Sequence, residues 1–118
     1  MAVYVSGKTY DTVEGVEEMK KAMMSDYAGW KDRCGRRDGI ALKMYNDYCD
    51  NLTESYGSKY IKIFSKGGGV KAFIVNTDKD KKFKKGDILK PAGWAAPARN
   101  FARGNVLDGG YEIRWTGA

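Results

Sequence analysis

The sequence predicts an α+β fold: two N-terminal amphipathic helices packed on a mainly antiparallel sheet, with an ordered loop rich in proline, alanine and tryptophan. Two observations predict it. Long helical spacings of apolar residues are confined to the first half, and β-branched and aromatic runs broken by glycine fill the second. The length, 118 residues, suits one domain, taken as residues 1–118. Apolar types at 42% and charged types at 31% belong to a globular chain rather than a disordered one.

The elements follow in order. Ala2 to Ser6 is short, β-branched and aromatic and stops at Gly7, so it reads as a first strand. Asp11 and Glu14 stand at the spacing of a helix cap, and Val13, Val16, Met19, Met23, Tyr27 and Trp30 then recur at steps of three and four. Glutamates early and lysines later suit the helix dipole, while Gly15 weakens the start. A polar connection, residues 31–39, leads to a second helix from Ile40 to Tyr56, ended by Gly57 in the left-handed conformation. The face of the first helix is expected to meet Ala41, Met44, Tyr48 and Leu52 or the sheet beneath them.

Tyr60 to Phe64 and Val70 to Val75 flank a glycine loop and read as a hairpin, and Gly86 to Leu89 as a further strand. Residues 91–104 hold both prolines, which forbids a continuous helix, and enough apolar bulk to predict a loop packed on the core through Trp94 and Phe101. Val106 to Trp115 reads as a second hairpin turning at Asp108, Gly109 and Gly110.

Composition narrows the chemistry. There is no histidine, which excludes Ser–His–Asp and Cys–His catalysis and histidine-ligated zinc. Cys34 and Cys49 stand alone, without a CxxC pair, and are expected as reduced thiols. Ser65 to Gly69 lacks the order of a phosphate-binding loop and reads as a hairpin turn. Gly35 to Gly39, with two adjacent arginines, reads as an interhelical loop before an anion-binding turn. Asp47, Asp50 and Glu54 are expected to share an exposed helix face as solvated charge. The sequence predicts no cofactor and no catalysis. The opening residues lack a signal-peptide pattern and no stretch is long and apolar enough for a membrane span, so a cytoplasmic protein without membrane contact is expected.

Charge is divided unevenly. Residues 1–58 hold eight Lys/Arg and ten Asp/Glu, whereas residues 59–118 hold thirteen and five. The densest group is Lys79, Lys81, Lys82, Lys84 and Lys85, followed by Lys90, Arg99 and Arg103, with Phe83, Trp94 and Phe101 interleaved. Cations beside rings suit a polyanion, above all a single strand whose bases stack while its phosphates are tracked. The same pattern suits solvated turns with the rings in the core. Both readings stay open, with Lys79, Lys81, Lys82, Lys84, Lys85, Lys90, Trp94, Arg99, Phe101 and Arg103 as the candidate polyanion or partner surface.

The run from Lys82 to Gly110, with KGDILK, W-x-x-P-A-R and F-A-R-G-N-V, resembles the C-terminal part of short proteins of tailed bacteriophages. The opening from Ser6 to Trp30 fits the same likeness. The resemblance implies a small viral protein acting in an infected bacterium, with no activity or cofactor to carry over. The function expected is a non-enzymatic interaction module engaging a host or viral protein, or alternatively a nucleic acid through the basic half.

Cys49 falls beside the apolar face of the second helix. It should alkylate slowly in the native protein and quickly after denaturation, read by mass spectrometry of iodoacetamide-treated samples; equal rates would overturn this placement.

Overall fold

The computed structural model describes residues 3–5, 7–33 and 39–118, with the backbone alone for residues 30–33 and 39–41. Cys34 and residues 35–38, expected as part of an interhelical loop, lie outside the described residues, as do Ala2 and Ser6 of the expected first strand. The fold is α+β, with two helices and two antiparallel sheets.

Asp11 caps α1 (Thr12–Arg33), its Oδ1 accepting the Glu14 amide at 2.8 Å. Val16, Met19, Ala22, Met23 and Tyr27 are buried along one stripe. Val13, expected on that stripe, is 54% exposed, and Thr12 is buried instead. Each residue turns the helix by about 100°, so a stripe centred on Thr12, Val16 and Met19 leaves Val13 on its flank. Gly15 is also a point of close contact: a Cβ there would stand 2.8 Å from the Val106 side chain.

The second helix, α2 (Gly39–Asn51), is shorter than expected, and Leu52 to Tyr56 forms strand β2. Residues four apart share a face in a helix and in a strand alike, so Leu52 and Tyr56 fitted both. Pairing decides between them, since Lys66 N donates to Asn51 O at 2.9 Å and Leu52 stands opposite Ser65. Gly57 therefore opens a tight turn, its N–H donating to Tyr60 O at 2.9 Å, and caps no helix. Glu54 leaves the expected acidic helix face and pairs with Lys20 on α1 at 2.8 Å.

With β3 (Tyr60–Ser65), β4 (Val70–Val75) and β5 (Ile88–Leu89), β2 makes an antiparallel sheet in the order β2-β3-β4-β5. The expected β3–β4 hairpin is present and turns at Gly67 with φ +72°. Ile63 opposes Ala72 while Phe64 opposes Val70, so Lys71 is an extra residue in a bulge.

The expected C-terminal hairpin does not form. Asn105 Oδ1 accepts the amides of Leu107 at 2.8 Å and Asp108 at 3.1 Å, which turns the chain where a strand was expected. β6 (Tyr111–Ile113) pairs instead with β1 (Val3–Val5) as a separate two-stranded sheet.

Two apolar clusters result. One joins Val16, Met19 and Met23 of α1 to Leu52, Ile61, Ile63, Ala72, Ile74, Tyr111 and Ile113, with the partly buried Cys49 packed against it. The other joins Phe73, Val75, Phe83 and Leu89, with Tyr60, Val70 and Ala102 against it. At one end Tyr27 and Tyr48 stack with centroids 4.3 Å apart, and Tyr48 donates to Trp115 O at 2.7 Å.

Met19 is fully buried and Val13 is not. Met19→Ala should cost about 2–5 kcal/mol, and Val13→Ala within about 0.5 kcal/mol, by denaturant titration; equal losses would contradict the orientation of α1.

Candidate functional site

Strand β3 alternates: Ile61 and Ile63 belong to the cluster with α1, so Tyr60, Lys62 and Phe64 point to the other face of the sheet. That face is covered by chain without regular structure, leaving β4 at Asn76 and running past β5 to Gly104.

Trp94 stands edge-on to Phe64, with centroids 5.4 Å apart and planes at 74°. Lys62 Nζ lies 4.1 Å from the Trp94 ring centroid and donates to Trp94 O at 3.1 Å. Trp94 remains 56% exposed and Phe101 53%, so the expectation that both pack into the core is corrected. The apolar cover comes from Phe83 and Ala102 instead. Neighbouring prolines, alanines and glycine bring little bulk to the sheet, which leaves the indole at the border of the covered area. Pro91, Val70 and Trp94 line a hollow of about 310 Å³ beside it.

Arg99 ties this segment down at the other end of β3. Its Nη1 donates to Asp80 Oδ2 and its Nη2 to Asp80 Oδ1, both at 2.9 Å, and Nη1 also reaches the Tyr60 hydroxyl at 2.5 Å. The guanidinium lies 5.0 Å over the Phe83 ring. Asp80 Oδ1 further accepts the amides of Lys82 at 2.9 Å and Phe83 at 3.0 Å. Arg99 first, then those two amides, hold the Asp80 carboxyl well below the usual carboxylate range. Lys82 Nζ closes the clasp on Arg99 O at 2.5 Å.

Lys79, Lys81, Lys82 and Arg99 are thus gathered around Asp80. Ser58, Lys59, Thr77, Lys79, Lys81 and Arg99, with Asp80, line a concavity of about 460 Å³. Lys84 turns away to Asp108, Nζ to Oδ2 2.6 Å, and that carboxylate raises its pKa. Phe101 and Arg103 form a separate pair, the guanidinium 4.2 Å over the ring, and Arg103 lines another hollow with Glu112 and Arg114. Lys85 and Lys90 are exposed; their carbonyls accept Asn105 Nδ2 at 3.0 Å and Ala98 N at 2.7 Å. Lys59, Lys79, Lys81, Lys85 and Lys90 have no acidic partner among the described residues.

Lys59 and Lys62 were missed from the sequence. The signal was present for Lys62, which sits between Tyr60 and Phe64 on the alternate face of a strand. Lys59 enters only through the turn that carries it against the exit of β4.

No helix of the described residues is long and apolar enough to cross a membrane, and no group of three or more potential metal ligands comes together among them. Compared with known proteins, the chain matches no family model, no curated relative and no solved structure.

The Asp80–Arg99 clasp has a pH signature. A carboxyl depressed on folding adds its stability in full above about pH 4, the ordinary aspartate value, and loses it as pH falls through its own lower value. Asp80→Asn should lower Tm at neutral pH, with the gap to the parent closing below about pH 4. A gap independent of pH into the acid range would rule out the clasp as its source.

Proposed function

We propose that the protein is a non-enzymatic interaction module acting on a host or viral macromolecule in the cytoplasm of an infected bacterium, and that the macromolecule is a single-stranded nucleic acid. The observation that carries this reading is the exposed Trp94 ring, seated on Phe64 and under Lys62, on the sheet face whose other end is rimmed by lysines without acidic partners. Tyr60 and Phe64 are about 13 Å apart along β3, so an extended strand running over the irregular chain that covers this face, in the direction of β3, meets the Trp94 ring at one end and cations at the other.

The physics favours a single strand over a duplex. A free base offers a π-face to an indole, whereas a duplex keeps its bases stacked, and the fold offers no exposed helix with base-reading side chains on this face. Phosphates met by Lys79, Lys81, Lys85 and Lys90 release counterions, which gives affinity without sequence preference. The phage resemblance supports the setting. An acidic protein surface would use the cations but leave Trp94 without a role.

Titration with short single-stranded and duplex DNA and RNA tests the reading. Single strands should bind more tightly than duplexes, and Trp94→Ala should weaken binding at every salt concentration by about 1–3 kcal/mol, with the domain still folded. Lys85→Gln and Lys90→Gln should instead flatten the salt dependence, by about 0.7 in log–log slope for each phosphate left unneutralised. No binding to any of these at low salt would overturn the proposal.

A further inference from the structure

We infer that the concavity between the β2–β3 turn and the chain leaving β4 is a seat for a phosphate group, the group by which the strand proposed above is held at that end of β3. The inference rests on that reading for its ligand and on the following geometry for its place.

Its two walls are fixed to one another. Asn76 N donates to Lys59 O at 2.7 Å, and Asn76 Nδ2 donates to Gly57 O at 2.9 Å. Thr12 on α1 donates its hydroxyl to Asn76 Oδ1 at 3.3 Å. The turn bearing Ser58 and Lys59 therefore keeps a set distance from Thr77, Lys79 and Lys81. A site whose walls are bonded together before the ligand arrives loses little ordering entropy on binding.

The donors suit a phosphate. Three lysines, Lys59, Lys79 and Lys81, line the hollow without an acidic partner among the described residues, and two hydroxyl-bearing residues, Ser58 and Thr77, line it from opposite walls. Thr77 Oγ1 accepts the Lys79 amide at 3.2 Å, which leaves its proton to donate. The one lining carboxylate, Asp80, has both oxygens engaged by Arg99 and backbone amides, so its charge is compensated where it sits. Asp78 is exposed beside Lys79 and does not line the hollow. At about 460 Å³ the space exceeds one phosphate and admits part of a sugar with it. Either a terminal phosphate or one within the strand offers the same group.

Amide NMR of the full chain, titrated with inorganic phosphate, provides the test. Resonances of Ser58, Lys59, Thr77, Lys79 and Lys81 should move, sodium chloride at matched ionic strength should not move them, and the paired variant Lys79→Gln, Lys81→Gln should abolish the response. Unmoved resonances, or an equal response to chloride, would overturn the seat. Short oligothymidylates then locate the phosphate. A terminal phosphate is the ligand if 5′-phosphorylation raises affinity about tenfold in the parent and not in the paired variant; an internal one is, if the variant weakens both oligonucleotides about tenfold. A control pair of equal charge, Lys8→Gln with Lys66→Gln, should lose no more than about threefold, as screened surface charge does. Equal losses from the two pairs would reduce the seat to diffuse attraction while strand binding stands. Phosphate shifts without oligonucleotide binding would uphold the seat and sink the strand.

Discussion

A hairpin that is apolar on both faces must be covered twice, and the rest of the molecule follows from that need. Ile61, Ile63, Ala72 and Ile74 require one lid, and Phe73 and Val75 another. The first lid is regular: α1, braced by the small β1–β6 sheet, lays a continuous stripe of methionines, valine and tyrosine over the strands. The second is irregular chain containing both prolines, which can neither continue a helix nor supply every ladder bond. It is held at a few points, by Phe83 and Ala102 in the apolar layer and by Arg99 on Asp80 and Tyr60 at its border. An irregular lid covers less area per residue than a helix, and Trp94 lies where the cover runs out.

The same lid accounts for the basic surface. Three of the five acidic residues in the second half serve the fold itself. Asp80 anchors Arg99, Asp108 pairs with Lys84, and the buried Asp87 takes the Asn105 amide at 2.9 Å and the Lys84 amide at 3.0 Å. Lysines outnumber these acids, and the acids are turned inward or laterally. The positive charge left outside is a residue of how the loops are tied, and it concentrates where the ties are densest.

Much of this was legible in the sequence because it depends on local patterns. The cap at Asp11, the buried stripe of α1 and the glycine-turned β3–β4 hairpin each rest on a spacing of a few residues. What failed depended on distant partners. Leu52 to Tyr56 satisfies a helix and a strand equally until β3 is beside it, and the segment after Asn105 stops being a hairpin because Asn105 and Asp87 hold it elsewhere. At the candidate site, the clustered lysines were visible as a run, but their division was not. Asp80, Asp108 and the turn at Lys59 decide which cations gather, and none of those contacts has a sequence period.

The pairing of β1 with β6 imposes an order in time. The meander from β2 to β4 closes over short turns, so its contacts lie close in sequence and incur little loop-closure entropy. Among the described residues, Val3 to Val5 pairs with Tyr111 to Ile113, far along the sequence. During synthesis the ribosome delivers both helices and the whole meander before β6 exists, so α1 has one neighbour in place and lacks the other. Tyr111 and Ile113 close that flank of the apolar cluster. Contacts so distant in sequence carry the largest loop-closure cost of any in the fold, so the β1–β6 pair draws least on local closure and most on the surface already built beside it.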